Sequence, residues 1–261
     1  MSFSIEVRFL GGLTQSQQEV FDTAACRWQE IITGELPRVQ LANGDMDIIS
    51  NVRIDAQGTN IDGTSGILGQ AGPTQLRSGS FLPATGIMRF DSADLARLEA
   101  ENSLKDVIIH EMGHVLGFGT LWSSQHLNLI TREGSENPQF IGKNAINEYK
   151  ILANNTALDT VPLANTGGEG TQDGHWRELV FDNELMTGFI DNKDNPLSRM
   201  SIGAFEDMGY QVDYKAADTY ELPDPTLLSL KELNENNQCK MCNRRILRCE
   251  PIILPESSLI D

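Results

Sequence analysis

Cysteine, basic residues and long apolar runs are all scarce in this chain, and each shortage excludes something. The four cysteines among 261 residues are Cys26, alone, and Cys239, Cys242 and Cys249 near the end. They are too few and too unevenly placed for a disulfide framework, and a reducing compartment fits them best. Cys239, Cys242 and Cys249 stand beside Arg244, Arg245 and Arg248 and fall one short of the four ligands that structural zinc takes, so this stretch reads as a partly ordered tail with exposed thiols. Twenty Lys and Arg against 37 Asp and Glu give a net charge of -17. That balance leaves no broad basic face for phosphates and argues against nucleic acid or an anionic membrane as partner. Nowhere do roughly 18 apolar residues run uninterrupted, and the opening MSFSIEVRFLGG lacks the cationic start and apolar core of a signal peptide. The expectation is a soluble chain without a membrane anchor, cytoplasmic or exported without a classical signal peptide.

What is present is enough to build a core. With 39% apolar residues, a chain of this length folds without staples, as one domain or as two subdomains around a cleft. Phe3, Ile5, Val7 and Phe9 alternate with polar residues, which predicts a half-buried strand ended by Gly11 and Gly12. Thr14 is placed to cap a helix running to about Ile32, with Val20, Phe21, Ala24, Trp28, Ile31 and Ile32 on one face. Short strands joined by turns are expected between Val39 and Ile54, followed by a glycine-rich segment from Gly63 to Pro73. GIMRFD, Gly86 to Asp91, predicts another strand, either at a sheet edge where an extended peptide could pair with it or in the sheet interior. A helix capped at Ser92 follows. Later come a helix around Asn144 to Ala153, one opened by Asn195 and Pro196 and stopped by Gly209, and a strand at YQVDY, Tyr210 to Tyr214.

The centre of the sequence is NSLKDVIIHEMGHVLGFG, Asn102 to Gly119. Ser103 with Asp106 resembles a capping box, and Gly117 is suited to the left-handed turn that ends a helix. Leu104, Val107, Ile108, Ile109, Met112, Val115 and Leu116 cover most of the circumference, so the helix belongs in the core. His110 and His114 lie four residues apart, about 40° around the axis, where two imidazoles can share one small cation. Glu111 follows the first of them. Two of only four histidines in this arrangement, on a helix too apolar to solvate them, form a zinc-hydrolase signature.

Catalytic zinc normally takes three protein ligands and leaves a position open for water. The imidazoles that remain are His126 in LWSSQHLNL and His175 at the end of a glycine-rich loop, with carboxylates such as Glu184 and Glu206 further on. His175 stands before a Glu-Leu-Met-Thr-Gly stretch, in which Met186 could form an apolar floor under a metal.

The metzincin pattern HExxHxxGxxH is matched at His110, Glu111, His114 and Gly117, but Thr120 occupies the place of the third histidine. The chain resembles instead the leishmanolysin family, in which a large insertion separates the glycine from a third histidine, itself followed by Trp or a similar residue and then a Met-turn. His175-Trp176 and Glu184-Leu185-Met186 fit that order. GILGQAGPT, GIMRFD and SIGAFEDMGY also look family-like, so the resemblance covers most of Phe3 to Tyr214 but not the tail.

The resemblance implies an α+β, metzincin-like fold, with a twisted mixed sheet, an active-site helix and a less regular C-terminal subdomain below a zinc cleft. Its peptidase domain would span 1–222, divided into 1–117, an insertion 118–174 and a C-terminal subdomain 175–222, with 223–261 as tail. It implies one catalytic zinc held by His110, His114 and His175, with Glu111 as general base to a zinc-bound water in hydrolysis of a peptide or protein substrate, and with Met186 structural. A catalytically silent zinc module that grips peptides and a zinc hydrolase of a non-peptide amide are the competing readings.

Overall fold

The alternating start of the chain folds as β1 (Ile5–Phe9), and the amphipathic segment after it as α1 (Gln15–Ile31). The computed structural model describes residues 2–41, 47–61, 63, 68–168, 170–191, 194–224, 246–247 and 249–260. Thr14 caps α1 reciprocally: its hydroxyl accepts from Gln17 N, and the Gln17 side chain accepts from Thr14 N, satisfying two donors that a helix start leaves open. Phe21, Ala24, Trp28 and Ile31 are buried on the inner face of α1.

Five strands and two helices follow: β2 (Arg38–Leu41), β3 (Asp47–Ile49), β4 (Val52–Thr59), β5 (Gly69–Leu76), β6 (Pro83–Asp91), α2 (Ser92–Ala100) and α3 (Leu104–Val115). The main sheet runs β1-β4-β6-β5. Its first three strands are mutually parallel and β5 is antiparallel to β6, so the sheet is mixed. GIMRFD lies in β6, paired with β4 on one side and β5 on the other. Its hydrogen-bonding edges are therefore used, which removes the edge-strand possibility for that segment. Asp91, rather than Ser92, caps α2, its carboxylate accepting from Ala93 N.

Helix α3 is buried through the run Val107 to Val115, as its all-round apolar character requires. Trp28 of α1 clamps it by donating from Nε1 to Ile109 O at 2.9 Å. The capping box expected at Ser103 does not form. Ser103 is helical in backbone (φ -99, ψ -8) and makes no cap bond; its hydroxyl turns back to Leu98 O, while the Asp106 carboxylate accepts from Asn195 Nδ2.

Beyond α3 the chain builds a small antiparallel sheet from β7 (Ile130–Thr131), β8 (Gln139–Phe140) and β9 (Val161–Pro162), with α4 (Lys143–Leu152) between the last two. Next come α5 (Glu178–Phe181) and α6 (Arg199–Met208). The start of α4 is held by Asp207 of α6, whose carboxylate accepts from Asn144 N and Ala145 N at 2.8 and 3.0 Å. The cap of α6 is Ser198 and its stop is Gly209. Asn195 lies upstream because its amide is engaged with Asp106 and Asp191. The strand expected at YQVDY is reduced to one bridge, Val212 to Ile32, before a short 3-10 turn at Tyr214–Ala216. Three last strands return to the earlier sheets: β10 (Ile246–Leu247) and β11 (Ile252–Ile253) pair with β5, and β12 (Leu259–Ile260) with β2. Cys239 and Cys242 lie outside the described residues. No helix among the described residues is long and apolar enough to cross a membrane.

Candidate metal centre

Two of the three imidazoles come from α3 and owe their aim to how that helix ends. Gly117 takes the left-handed conformation (φ +114) that an L side chain disfavours. The chain then folds back so that Phe118 N donates to Gly113 O and Phe118 O receives His114 Nδ1 at 2.8 Å. His110 Nδ1 reaches a different part of the chain, Leu185 O, at 2.7 Å.

The third imidazole arrives from the loop before α5. Trp176 anchors it: the indole is fully buried among Phe118, Trp122, Phe140 and Phe181. Its backbone donates to Met186 O, while His175 O accepts from Ala164 N. Gly119, with φ +70, lets this loop approach, because a Cβ there would stand 2.1 Å from Gly174 O. His175 Nδ1 meets Thr171 O at 2.9 Å.

The result is a triangle. Nε2 of His110 and Nε2 of His114 are 3.0 Å apart, His114 and His175 2.9 Å, and His110 and His175 3.1 Å. All three residues are buried. Each Nδ1 faces a carbonyl oxygen, which can only accept, so each Nδ1 carries the proton and each Nε2 offers a bare lone pair. Three lone pairs converging within 3.1 Å with no proton among them repel one another, and a cation at their meeting point turns the repulsion into coordination. The nitrogens are near enough to share one ion at the roughly 2.0–2.1 Å that zinc prefers to imidazole. The carbonyls behind them are the partners that fix ring orientation in metal-binding histidines. The donor set therefore fits zinc. Burial holds the His110 pKa down at about 4, which keeps that ring neutral and able to ligate across the physiological range.

Glu111 is buried next to this cluster, and its Oε2 has no hydrogen-bond partner among the described residues. With His110 it lines a cavity of about 80 Å³, walled by Leu98, Val107, Gly188, Phe189 and Ile190. Burial pushes the Glu111 pKa up to about 8. The consequence for metal-free protein has a definite sign. A carboxyl whose folded pKa is raised costs stability as pH climbs from its unfolded value to its folded one, whereas His110, with a lowered pKa, costs stability as pH falls below about 6.5. Between pH 6.5 and 8, of these two, only Glu111 acts. Metal-stripped wild type is expected to lose about 2 kcal/mol over that window relative to Glu111→Gln, read from denaturant unfolding at both pH values. Parallel curves for the two proteins would show that the carboxyl is not held neutral.

The leishmanolysin family model matches residues 45–239. This chain belongs to the leishmanolysin family. Its relatives include a leishmanolysin homolog of Crithidia fasciculata, 24% identical over 179 residues, which are 66% of this chain and 26% of that protein. A leishmanolysin-like peptidase of Caenorhabditis elegans is 41% identical over 63 residues, 23% of this chain and 9% of the relative. One of Drosophila melanogaster is 30% identical over 106 residues, 37% of this chain and 15% of the relative. The matches thus span about a quarter or less of the relatives' own lengths. Leishmanolysins are zinc metallopeptidases, and three histidines able to bind a metal accord with that.

The other ligand candidates in this leishmanolysin chain are spent elsewhere. His126 lies against Phe81 and Ser123. Glu206 accepts from Tyr214 OH. Glu184 is fully buried and accepts from Met186 N, Ser198 N and the hydroxyls of Ser198 and Ser201. The Met186 thioether, also fully buried, lies where a side chain on Gly113 of α3 would go. Sequence reasoning did not find the three carbonyls of Phe118, Thr171 and Leu185. Backbone acceptors carry no residue signal, although Gly117 and the glycines around Thr171 mark where the chain must bend to supply two of them.

Proposed function

We propose that this chain is a zinc-dependent metalloendopeptidase in which His110, His114 and His175 hold one catalytic zinc and Glu111 is the general base. The observation that carries the reading is the convergence of three Nε2 atoms within 3.1 Å of one another. Membership of the leishmanolysin family supports it. Zinc, when bound, supplies a Lewis acid that polarises a carbonyl and brings the pKa of water towards about 7.

The chain's own residues do the rest. Glu111 takes a proton from the attacking water and returns it to the nitrogen of the leaving amine, so the carboxyl ends the cycle as it began. Its Oε2, which has no hydrogen-bond partner among the described residues, is the atom left to exchange that proton. Leu98, Val107, Phe189 and Ile190 offer an apolar wall beside it for a substrate side chain. Met186 packs under α3 as the Met-turn of a metzincin-like fold. The peptidase unit is taken as 1–222, in which 1–117 bears β1 to β6 and α3, 118–174 is an insertion and 175–222 brings back the last ligand, while β10, β11 and β12 of the tail add to the sheets of the first part.

Incubating zinc-loaded protein with an unstructured casein and sizing the products by mass spectrometry tests this. Internal fragments that vanish on chelation are expected. Intact casein that nevertheless co-purifies with the zinc-loaded chain would instead mark a peptide-binding module without catalysis.

A further inference from the structure

Glu184 is a fully buried carboxylate that accepts four hydrogen bonds, and the ligand set does not use it. One oxygen, Oε1, accepts from Ser198 N at 2.9 Å, Ser198 Oγ at 2.7 Å and Ser201 Oγ at 2.5 Å. The other, Oε2, accepts from Met186 N at 2.6 Å. Four donors converge on a group with 0% exposure, where any one of them left unpaired would be costly.

Those four bonds tie together the two segments that reach the histidines. Met186 N belongs to the peptide that begins at the Leu185 carbonyl, so the bond to Oε2 fixes the plane of the group that accepts His110 Nδ1. Ser201 Oγ, while donating to Oε1, accepts from Trp176 Nε1 at 2.8 Å. Trp176 is the residue after His175, and its backbone N donates to Met186 O. An N–H to O–H to carboxylate chain, with every donor pointing towards the charge, thus joins the His175 loop, the turn at Met186 and the start of α6. His114 stands outside it: its Nδ1 is held by Phe118 O, within the turn that follows α3.

We infer that Glu184 is a positioning residue that holds two of the three metal-binding histidines, His110 and His175, in register through Met186 N and through Ser201 and Trp176. This rests on the zinc-peptidase reading above. Glu184→Gln is a directed probe, because an amide can keep three acceptor bonds at Oε1 but then turns its NH2 towards Met186 N, donor against donor. Ser201→Ala breaks only the link to Trp176.

Three measurements on the 261-residue chain decide it: zinc affinity by competition with a chromophoric chelator, imidazole N–H exchange by NMR, and steady-state cleavage of a peptide. Glu184→Gln is expected to weaken zinc binding about 10–100-fold, the range seen when partners behind metal ligands are removed. It is also expected to speed Nδ1–H exchange at His110 and His175 but not at His114, and to lower kcat with KM nearly unchanged. Ser201→Ala is expected to move His175 alone and to weaken zinc several-fold, and it decides the matter should Glu184→Gln not fold. A fall in thermal stability with wild-type zinc affinity and unchanged imidazole exchange would overturn the positioning role and leave a structural one. Wild type that binds zinc but cleaves nothing would overturn the peptidase reading, while the affinity and exchange measurements still judge Glu184.

Discussion

Glu111→Gln is expected to keep one equivalent of zinc per chain and to lose peptide hydrolysis by about 10²–10⁴-fold. Glutamine has nearly the same shape, so the α3 helix, whose residues Val107 to Val115 are all buried, is not disturbed. The three histidines keep their carbonyl partners at Leu185, Phe118 and Thr171. What disappears is the ability to accept a proton. KM should move little, because the loss concerns a step on the way to the transition state rather than substrate binding. Zinc content by elemental analysis together with kcat separates this outcome from one in which the variant has simply lost its metal. Hydrolysis at the wild-type rate would remove Glu111 from the chemistry.

His175→Ala is the second large effect. With two of three nitrogens left on α3, zinc affinity is expected to fall by roughly 10²–10³-fold, about one ligand's share of the 10–16 kcal/mol typical of structural zinc sites. Activity should vanish with it. His126→Ala is the matched control: its ring packs on Phe81, away from the triangle, so zinc should be retained in full. Equilibrium dialysis of both variants against buffered zinc reads the difference. Stoichiometric tight zinc in His175→Ala would exclude the three-histidine centre.

The part of the site that follows a helical period was legible in the sequence. His110, Glu111 and His114 are fixed relative to one another by α3 alone, and an apolar run with Gly117 at its end announces that helix. His175 was reachable because so few histidines compete and because Trp176 and Met186 follow in a recognisable order. What decides its position in space is different in kind. The packing of Trp176 on Phe118, Trp122 and Phe140 and the approach of Gly119 to Gly174 join residues dozens of positions apart, and no local pattern encodes such pairings.

The same limit explains what was left open and what was misread in the fold. GIMRFD shows its strand character locally, but whether it lies at an edge depends on β5 turning back to pair with Pro83 through Phe90. Ser103 and Asp106 have the spacing of a capping box, yet Asn195, 89 positions away, takes the Asp106 carboxylate. Asn195 for its part looked like a helix cap for the same reason that it is not one: its amide finds better partners in Asp106 and Asp191. Short polar side chains can satisfy a helix end or a distant loop equally well, and tertiary structure chooses between them.

The most direct test of the account is a zinc titration of metal-stripped wild-type protein in which bound zinc and peptide cleavage are followed on the same sample. One centre built from His110, His114 and His175 predicts that cleavage starts near zero, rises in proportion to bound zinc and stops rising at one equivalent per chain. Cleavage that persists in the stripped protein, or that climbs only with a second equivalent, would contradict it.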